Sequence, residues 1–226
     1  MPRPVPPESE ARALLEFAHE LGIRYFDTAP SYGDGLSEER LGSFLRSMTP
    51  GQRAAVTAAT KFGEHWDRGT GEPYADHSFD ALRRSLDTSI ARLGRIEILQ
   101  LHKTTPEALR SGDVARAWEY ARSLGIARIG PSVSDLESAE IAVRTPEFSV
   151  MQFPFNRGNV KFKPVLEAAA ECGMWLVVNR PFAMGSMVDG EAFRFILRQE
   201  FTGAVLTGTT SQEHLRENWE RFQLAS

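Results

Sequence analysis

The strongest constraint on this chain is an alternation. Seven short apolar runs, RYFDTA (24–29), AAVTAATKF (54–62), IEILQLH (96–102), ARIGPSV (127–133), FSVMQF (148–153), MWLVVN (174–179) and GAVLTG (203–208), are separated by stretches with helical periodicity. The runs are mostly continuous in their apolar character, as in parallel strands covered on both faces. Between them, SFDALRRSLDTSIARLG places Phe79, Leu82, Leu86, Ile90 and Leu93 on one helical face, with Ser78 as N-cap and Gly94 as stop. Thr105 before Pro106 opens a helix predicted to run to Gly125. SDLESAEIAVR, KPVLEAAAECG and SQEHLRENWERF follow the same logic, and EARALLEFAHELG (10–22) puts a helix ahead of the first strand. Strict alternation specifies a parallel sheet with helical crossovers. Such a sheet either stays open and doubly wound or closes as a (β/α)8 barrel. No Gly-x-Gly-x-x-Gly fingerprint follows a strand, which weighs against the open dinucleotide-binding sheet. Residues 1–226 read as one α/β domain of the TIM-barrel type, with seven strands evident.

Composition narrows the function. The net charge is −4 and there is no basic block, so nucleic acid is not an expected partner. No apolar run is long enough to span a membrane, and MPRPVPPESE lacks the apolar core of a signal peptide. Cys172 is the single cysteine, so neither an intrachain disulfide nor a cysteine-based metal site is available. A cytoplasmic protein without a metal fits these features.

Polar residues gather at the strand ends. Asp27 closes the first run with Tyr32 in the loop behind it, Lys61 closes the second, and His102 the third. C-terminal strand ends share one rim in a barrel, and that rim carries the active site. Taken singly, Asp27 reads as a turn cap, Tyr32 as a loop aromatic with a wet hydroxyl and His102 as a structural histidine. Lys61 is harder to set aside. A lysine ending an apolar strand points into the rim and needs a carboxylate, and Asp27 on the adjoining strand is the natural one. The residue types together suggest proton transfer. A free tyrosine has a pKa of about 10, and a nearby lysine cation favours its phenolate. Asp27 would hold Lys61, and His102 would hydrogen-bond the oxygen that Tyr32 protonates. That arrangement suits a carbonyl oxygen taking a proton while its carbon takes a hydride.

GIRYFDTAPSYGDGLSEERLG, ATKFG, IEILQLH, IGPSVSD, MQFPFN, NRPFAMG and LTGTTSQEHLRENW occur in this order between about residues 10 and 222. In order and spacing they resemble the aldo-keto reductase superfamily, and YGDGLSEERLG looks like its bacterial branches that include aldose and pyridoxal dehydrogenases. The resemblance implies an NAD(P)H-dependent (β/α)8 barrel with Asp27, Tyr32, Lys61 and His102 as catalytic tetrad and Tyr32 as proton donor and acceptor. It implies that Ser132 and Gln152 hold the nicotinamide carboxamide. Asn179, Arg180, Pro181 and Phe182 follow as cofactor contacts, with Arg180 reaching the pyrophosphate. Gly208, Thr209, Thr210, His214, Glu217 and Asn218 fall where relatives bind the adenosine end. Thr210 and Glu213 there make a capping-box pattern at a helix start, itself a favourable anion site.

Departures bear on the cofactor. Val133 stands where an asparagine is usual, and Asn179 where a stacking tyrosine often sits. Gly208 and His214 occupy common lysine and arginine positions near the 2′-phosphate. NADP(H) is expected in preference to NAD(H). The chain goes directly into its first helix, without the family's N-terminal hairpin and first barrel strand. An unclosed barrel would carry two unpaired edges and an exposed core, which leaves a homo-oligomer open. A misassigned start, a gap partly filled by the proline-rich residues 2–7, or a degenerate relative would each account for this.

The expected function is reversible reduction of a small aldehyde, ketone or sugar carbonyl, with Phe62, Trp66, Phe153 and Phe155 as candidate pocket walls or as core. Two rivals stand beside it: a nucleotide-binding or regulatory protein with little catalysis, and an enzyme using the tetrad for non-redox acid–base chemistry.

Overall fold

The structure is a computed structural model that describes residues 5–186 and 191–226. All seven expected strands are present: β1 (Tyr25–Asp27), β2 (Thr57–Phe62), β5 (Ile98–Leu101), β6 (Arg128–Pro131), β7 (Val150–Pro154), β8 (Trp175–Asn179) and β9 (Gly203–Val205). Two further strands form an antiparallel hairpin that the sequence reading did not anticipate, β3 (Glu64–Asp67) and β4 (Glu72–Ala75). The helices are α1 (Glu8–Glu20), α2 (Leu36–Arg46), α3 (Pro50–Ala54), α4 (Phe79–Leu93), α5 (Pro106–Leu109), α6 (Gly112–Ser123), α7 (Leu136–Val143), α8 (Lys163–Glu171), α9 (Glu191–Leu197) and α10 (Gln212–Ala225). The helix expected from Thr105 to Gly125 is therefore two. Thr105 caps α5 as predicted, but Ser111 then accepts a hydrogen bond from the Asp113 amide and starts a second helix at Gly112. A capping hydroxyl beside a glycine competes with helix continuation.

β1, β2, β5 and β6 run parallel in that order, as do β7, β8 and β9. The two sets are continuous. The Ser149 amide donates to Ile129 O at 3.0 Å, the Val133 amide donates to Gln152 O at 2.8 Å, and Ser132 pairs with Gln152. The result is one curled parallel sheet ringed by helices, of the TIM-barrel type expected from the alternation.

Alternation along each strand sorts side chains to two sides. Ala59, Ile98, Val150 and Val177 form a small inner cluster with Tyr25, Trp175 and Leu206, and the Tyr25 and Trp175 rings meet at 5.0 Å. Phe26, Ala58, Phe62, Leu99, Leu101, Ile129, Met151, Phe153, Leu176 and Val178 face the other way, into the larger core shared with the helices. Both faces are apolar, hence the continuous runs. Among the described residues β1 pairs only with β2 and β9 only with β8. Helices bridge that side: Arg216 lies 5.1 Å from the Phe17 ring, and Gln212 Nε2 donates to Ala13 O at 3.2 Å.

Gly130 marks the tightest seam in the sheet. A Cβ there would sit 1.7 Å from the Val150 carbonyl oxygen, so β6 and β7 approach closely because one of them lacks a side chain. Gly130→Ala is expected to destabilise the protein by about 1–3 kcal/mol, read as a lower urea midpoint.

Candidate active site

β1 and β2 pair with Asp27 opposite Ala59, which sets Lys61 one inward position beyond Asp27. Lys61 is 1% exposed, and its ammonium donates to Asp27 Oδ1 and, at 2.9 Å, to Thr28 O. Gln100, across from Lys61 on β5, donates from Nε2 to Asp27 Oδ2 at 3.3 Å. Burial disfavours the Lys61 charge. Asp27 outweighs it with help from Tyr32, and the ammonium is held above its ordinary pKa. Lys61 is therefore a fixed cation in the inner wall of the sheet.

Tyr32 stands above it. The loop turns through three successive left-handed residues, Gly33 (φ 64°), Asp34 (φ 52°) and Gly35 (φ 90°), and then enters α2. Glycine supplies that conformation without strain. The turn leaves Tyr32 41% exposed, with Lys61 Nζ 5.1 Å from its ring centroid. Tyr25 lies below in the interior, where burial and then Asp27 push its phenol well above the usual value. Tyr32 is thus the phenol that is both open to solvent and next to a cation.

His102 arrives at the same rim. Its amide extends the ladder beyond β5 by donating to Phe62 O at 2.8 Å, and its ring meets Tyr32 edge-on at 6.0 Å. The four expected residues are thereby brought together. The structure adds two that the sequence reading missed, Gln100 described above and Glu64. Glu64 is buried at the start of β3, accepts from Ser31 Oγ at 2.5 Å, and lies 2.9 Å from His102 Nδ1 and 3.0 Å from Lys103 Nζ. Burial pushes its carboxyl up. The His102 and Ser31 contacts, and then Lys103, overcome that and bring it down to about 2. A carboxylate just past a buried strand end was the available signal for it. Gln100 was missed because a glutamine in an apolar strand reads as filler. Backbone strain concentrates on this rim too: Lys103 has φ 50° and Arg180 φ 55°.

The expected cofactor contacts lie on the other half of the sheet. Gln152 is 3% exposed on β7, and Asn179 ends β8. Their side-chain oxygens, Gln152 Oε1 and Asn179 Oδ1, are buried without a hydrogen-bond partner among the described residues. Unsatisfied buried acceptors are costly, so two in one rim ask for a donor. Ser132 is half-buried and bridged to Gln152, while Val133 turns into the core. Arg180 is exposed, and its carbonyl accepts from Asn156 Nδ2 at 2.9 Å. Pro181 is buried, and Phe182 packs edge-on against Phe193 at 5.2 Å.

Gly208 and Thr210 are exposed in the loop before α10, with Thr209 half-buried. The expected capping box is corrected here. Ser211, not Thr210, is the N-cap and accepts from the His214 amide at 3.3 Å, because the helix begins at Gln212. His214 is exposed, Glu217 accepts from Arg221 Nη2 at 3.3 Å, and Asn218 is half-buried.

The candidate walls are mostly core. Phe62, Phe153 and Phe155 are fully buried against Trp118, Phe162 and Phe195, because they alternate to the helix side. Trp66 is 36% exposed on the hairpin and remains available as a wall. Among the described residues no cluster of His, Cys, Asp or Glu has metal-binding geometry, and no helix is long and apolar enough to cross a membrane.

Comparison with known proteins bears directly on this rim. The aldo/keto reductase family matches residues 2–192. A D-threo-aldose 1-dehydrogenase of a Pseudomonas species is 34% identical over 83% of this chain, which spans 64% of that relative's length. Pyridoxal 4-dehydrogenase of Microbacterium luteolum is 27% identical over 95% of this chain and 84% of its own. A solved structure described as an aldo-keto reductase from Pseudomonas aeruginosa is 30% identical and superposes with a TM-score of 0.85, covering 98% of this chain and 85% of its own.

The Lys61–Asp27 pair is open to a direct test. Asp27→Asn leaves a buried ammonium without its counter-charge and is expected to cost about 3–5 kcal/mol in urea unfolding. Replacing both, as Asp27→Leu with Lys61→Met, is expected to recover most of that loss.

Proposed function

The chain belongs to the aldo-keto reductase family, and from that premise we propose that it is an NAD(P)H-dependent oxidoreductase interconverting a small aldehyde, ketone or sugar carbonyl with its alcohol. The observation that carries the reading is the buried Lys61–Asp27 pair beneath an exposed Tyr32 flanked by His102. In reduction, Tyr32 delivers its proton to the carbonyl oxygen, and in oxidation it takes the proton back. The Lys61 cation stabilises the phenolate left behind, and Asp27 keeps that cation in place. His102 hydrogen-bonds the same oxygen and orients it towards Tyr32.

The rim fits a nicotinamide cofactor. The Gln152 and Asn179 oxygens, without a partner among the described residues, suit the amide protons of a carboxamide, and the neighbouring Ser132 hydroxyl can join them. Arg180, exposed after β8, suits a pyrophosphate. The start of α10 with Thr209, Thr210 and His214 suits the phosphate of an adenosine end, which favours NADP(H) over NAD(H). Glu217 and Asn218, a turn further on, suit the adenine. Such a cofactor supplies the hydride when bound.

Small polar carbonyls fit the rim best. Two relatives are named for dehydrogenation of an aldose and of pyridoxal, both small and polar, and the site offers ionised and hydrogen-bonding groups around a single exposed tryptophan. We place this activity in one barrel domain working in the cytoplasm.

Tyr32→Phe is expected to lower NADPH-dependent turnover on a panel of small aldehydes and sugars by about 100-fold or more. Fluorescence titration of the same variant with NADPH should give an unchanged Kd, since Tyr32 acts on the substrate oxygen. Full activity in Tyr32→Phe would sink the mechanism. For the wild-type protein, NADPH is expected to bind more tightly than NADH. The reverse order would overturn the cofactor preference and leave the carbonyl chemistry intact.

A further inference from the structure

Glu64 is buried, ionised and touches His102, yet the mechanism above gives it no task. Oε2 receives the Ser31 hydroxyl at 2.5 Å and lies 2.9 Å from His102 Nδ1, while Oε1 lies 3.0 Å from Lys103 Nζ. One carboxylate therefore contacts the residue before Tyr32 in sequence, His102 itself and the residue after it. We infer that Glu64 is a positioning residue that fixes a proton on His102 Nδ1, so that His102 offers the substrate oxygen a hydrogen-bond donor only when the ring is doubly protonated. This inference rests on the oxidoreductase reading.

The argument is one of donor and acceptor count. A carboxylate accepts and cannot donate, and the hydrogen-bonding and charged groups around Glu64 hold it in that form far below neutrality. The 2.9 Å approach of that carboxylate favours the hydrogen on the nitrogen facing it. A neutral imidazole protonated at Nδ1 has a lone pair at Nε2. That nitrogen accepts from an alcohol hydroxyl and offers nothing to a carbonyl oxygen. Adding a second proton turns Nε2 into a donor, suited to a carbonyl. The neutral ring thus serves the alcohol, and the doubly protonated ring serves the carbonyl.

The other groups facing this ring do not supply the same constraint. Tyr32 presents its ring edge from the loop after β1, with the Lys61 ammonium behind it on β2 already tied to Asp27. Lys103 shares Glu64, and His77 Nε2 meets the His102 backbone carbonyl at 2.9 Å. Among the described residues Glu64 is the anion in contact with the His102 ring.

The test uses the full cofactor-free chain. Side-chain nitrogen NMR of the imidazoles, with the His102 signals assigned by their loss in His102→Gln, reports which nitrogen is protonated at a pH where the ring is neutral. The expected result is Nδ1–H in the wild-type protein and a shift of population towards Nε2–H in Glu64→Ala. Glu64→Gln, which keeps the side-chain volume, provides the same comparison if the alanine variant does not fold. In the active enzyme, the pH above which carbonyl reduction falls off is expected to move down by about one unit in Glu64→Gln, because the doubly protonated ring that serves the carbonyl loses its counter-charge. A wild-type ring protonated at Nε2 would overturn the inference. So would a Glu64→Gln enzyme that is slowed while its pH profile for carbonyl reduction stays where it is in the wild type, which is what a purely structural role gives. If no carbonyl is turned over at all, the oxidoreductase reading fails, and the nitrogen assignment still decides what Glu64 does to His102.

Discussion

A lysine ammonium buried to 1% exposure is the constraint from which the site follows. Such a charge persists only where acceptors surround it, and here three strands combine to provide them. Asp27 from β1 and the Thr28 carbonyl beyond it take the ammonium directly, and Gln100 from β5 holds the far oxygen of Asp27. The β1–β2–β5 registers must all be right for this to close, because a slip of one residue would send Lys61 into the helix-side core. The pair adds little net stability for its cost. What it contributes is a permanent positive charge at a fixed height under Tyr32.

The loop that carries Tyr32 is held from behind with similar means. Glu38, fully buried on α2, accepts from Thr60 Oγ1 at 2.7 Å and from Arg92 Nη1 at 3.0 Å, so α2, β2 and α4 share one ionised group. A Cβ on Gly42 would lie 1.9 Å from the Arg92 carbonyl oxygen, so α2 also approaches α4 at a contact that only glycine allows. Thr28 donates to Ser37 Oγ at 2.8 Å and fastens the strand end to the helix start. On the site side, Glu64 ties Ser31 to His102 and Lys103. Two buried carboxylates therefore brace the front and back of one short loop. Rigidity there matters for the proposed proton transfer, which depends on distances of a few tenths of an ångström.

The two halves of the sheet have divided the work. β1 and β2 present the paired Asp27 and Lys61, while the Tyr25 hydroxyl on β1 and Gln100 Oε1 on β5 have no hydrogen-bond partner among the described residues. β7 and β8 present amide oxygens that nothing among the described residues satisfies. In the proposed function the first half handles the proton and the second, with its unmet acceptors, holds the cofactor. The inner cluster of Ala59, Ile98, Val150 and Val177 lies beneath both and seals the floor.

Much of this was legible in the order of residues. Seven apolar runs separated by amphipathic stretches specify parallel strands with helical crossovers, because a strand covered on both faces must be apolar throughout. Gly94 stopped α4 and Thr105 capped α5 where local chemistry said they would. Asp27, Tyr32, Lys61 and His102 stood out because polar residues at the ends of apolar strands are expensive unless used. Other features were decided only by packing. The hairpin at 64–75 has a short polar sequence with no core of its own, so it takes shape against the rim. Thr210 and Ser211 are equally good caps in isolation, and the position at which α10 docks chose Ser211. Phe62, Phe153 and Phe155 face the helices because register assigns alternate residues to opposite sides, and a sequence read alone does not give register. Glu64 was invisible for the same reason. Its role lies in contacts to Ser31 and His102, which are distant along the chain, and the fold brings them within hydrogen-bonding reach. Local sequence determined which groups can do chemistry in this protein, and the curling of the sheet, with its strand registers, decided which of them meet.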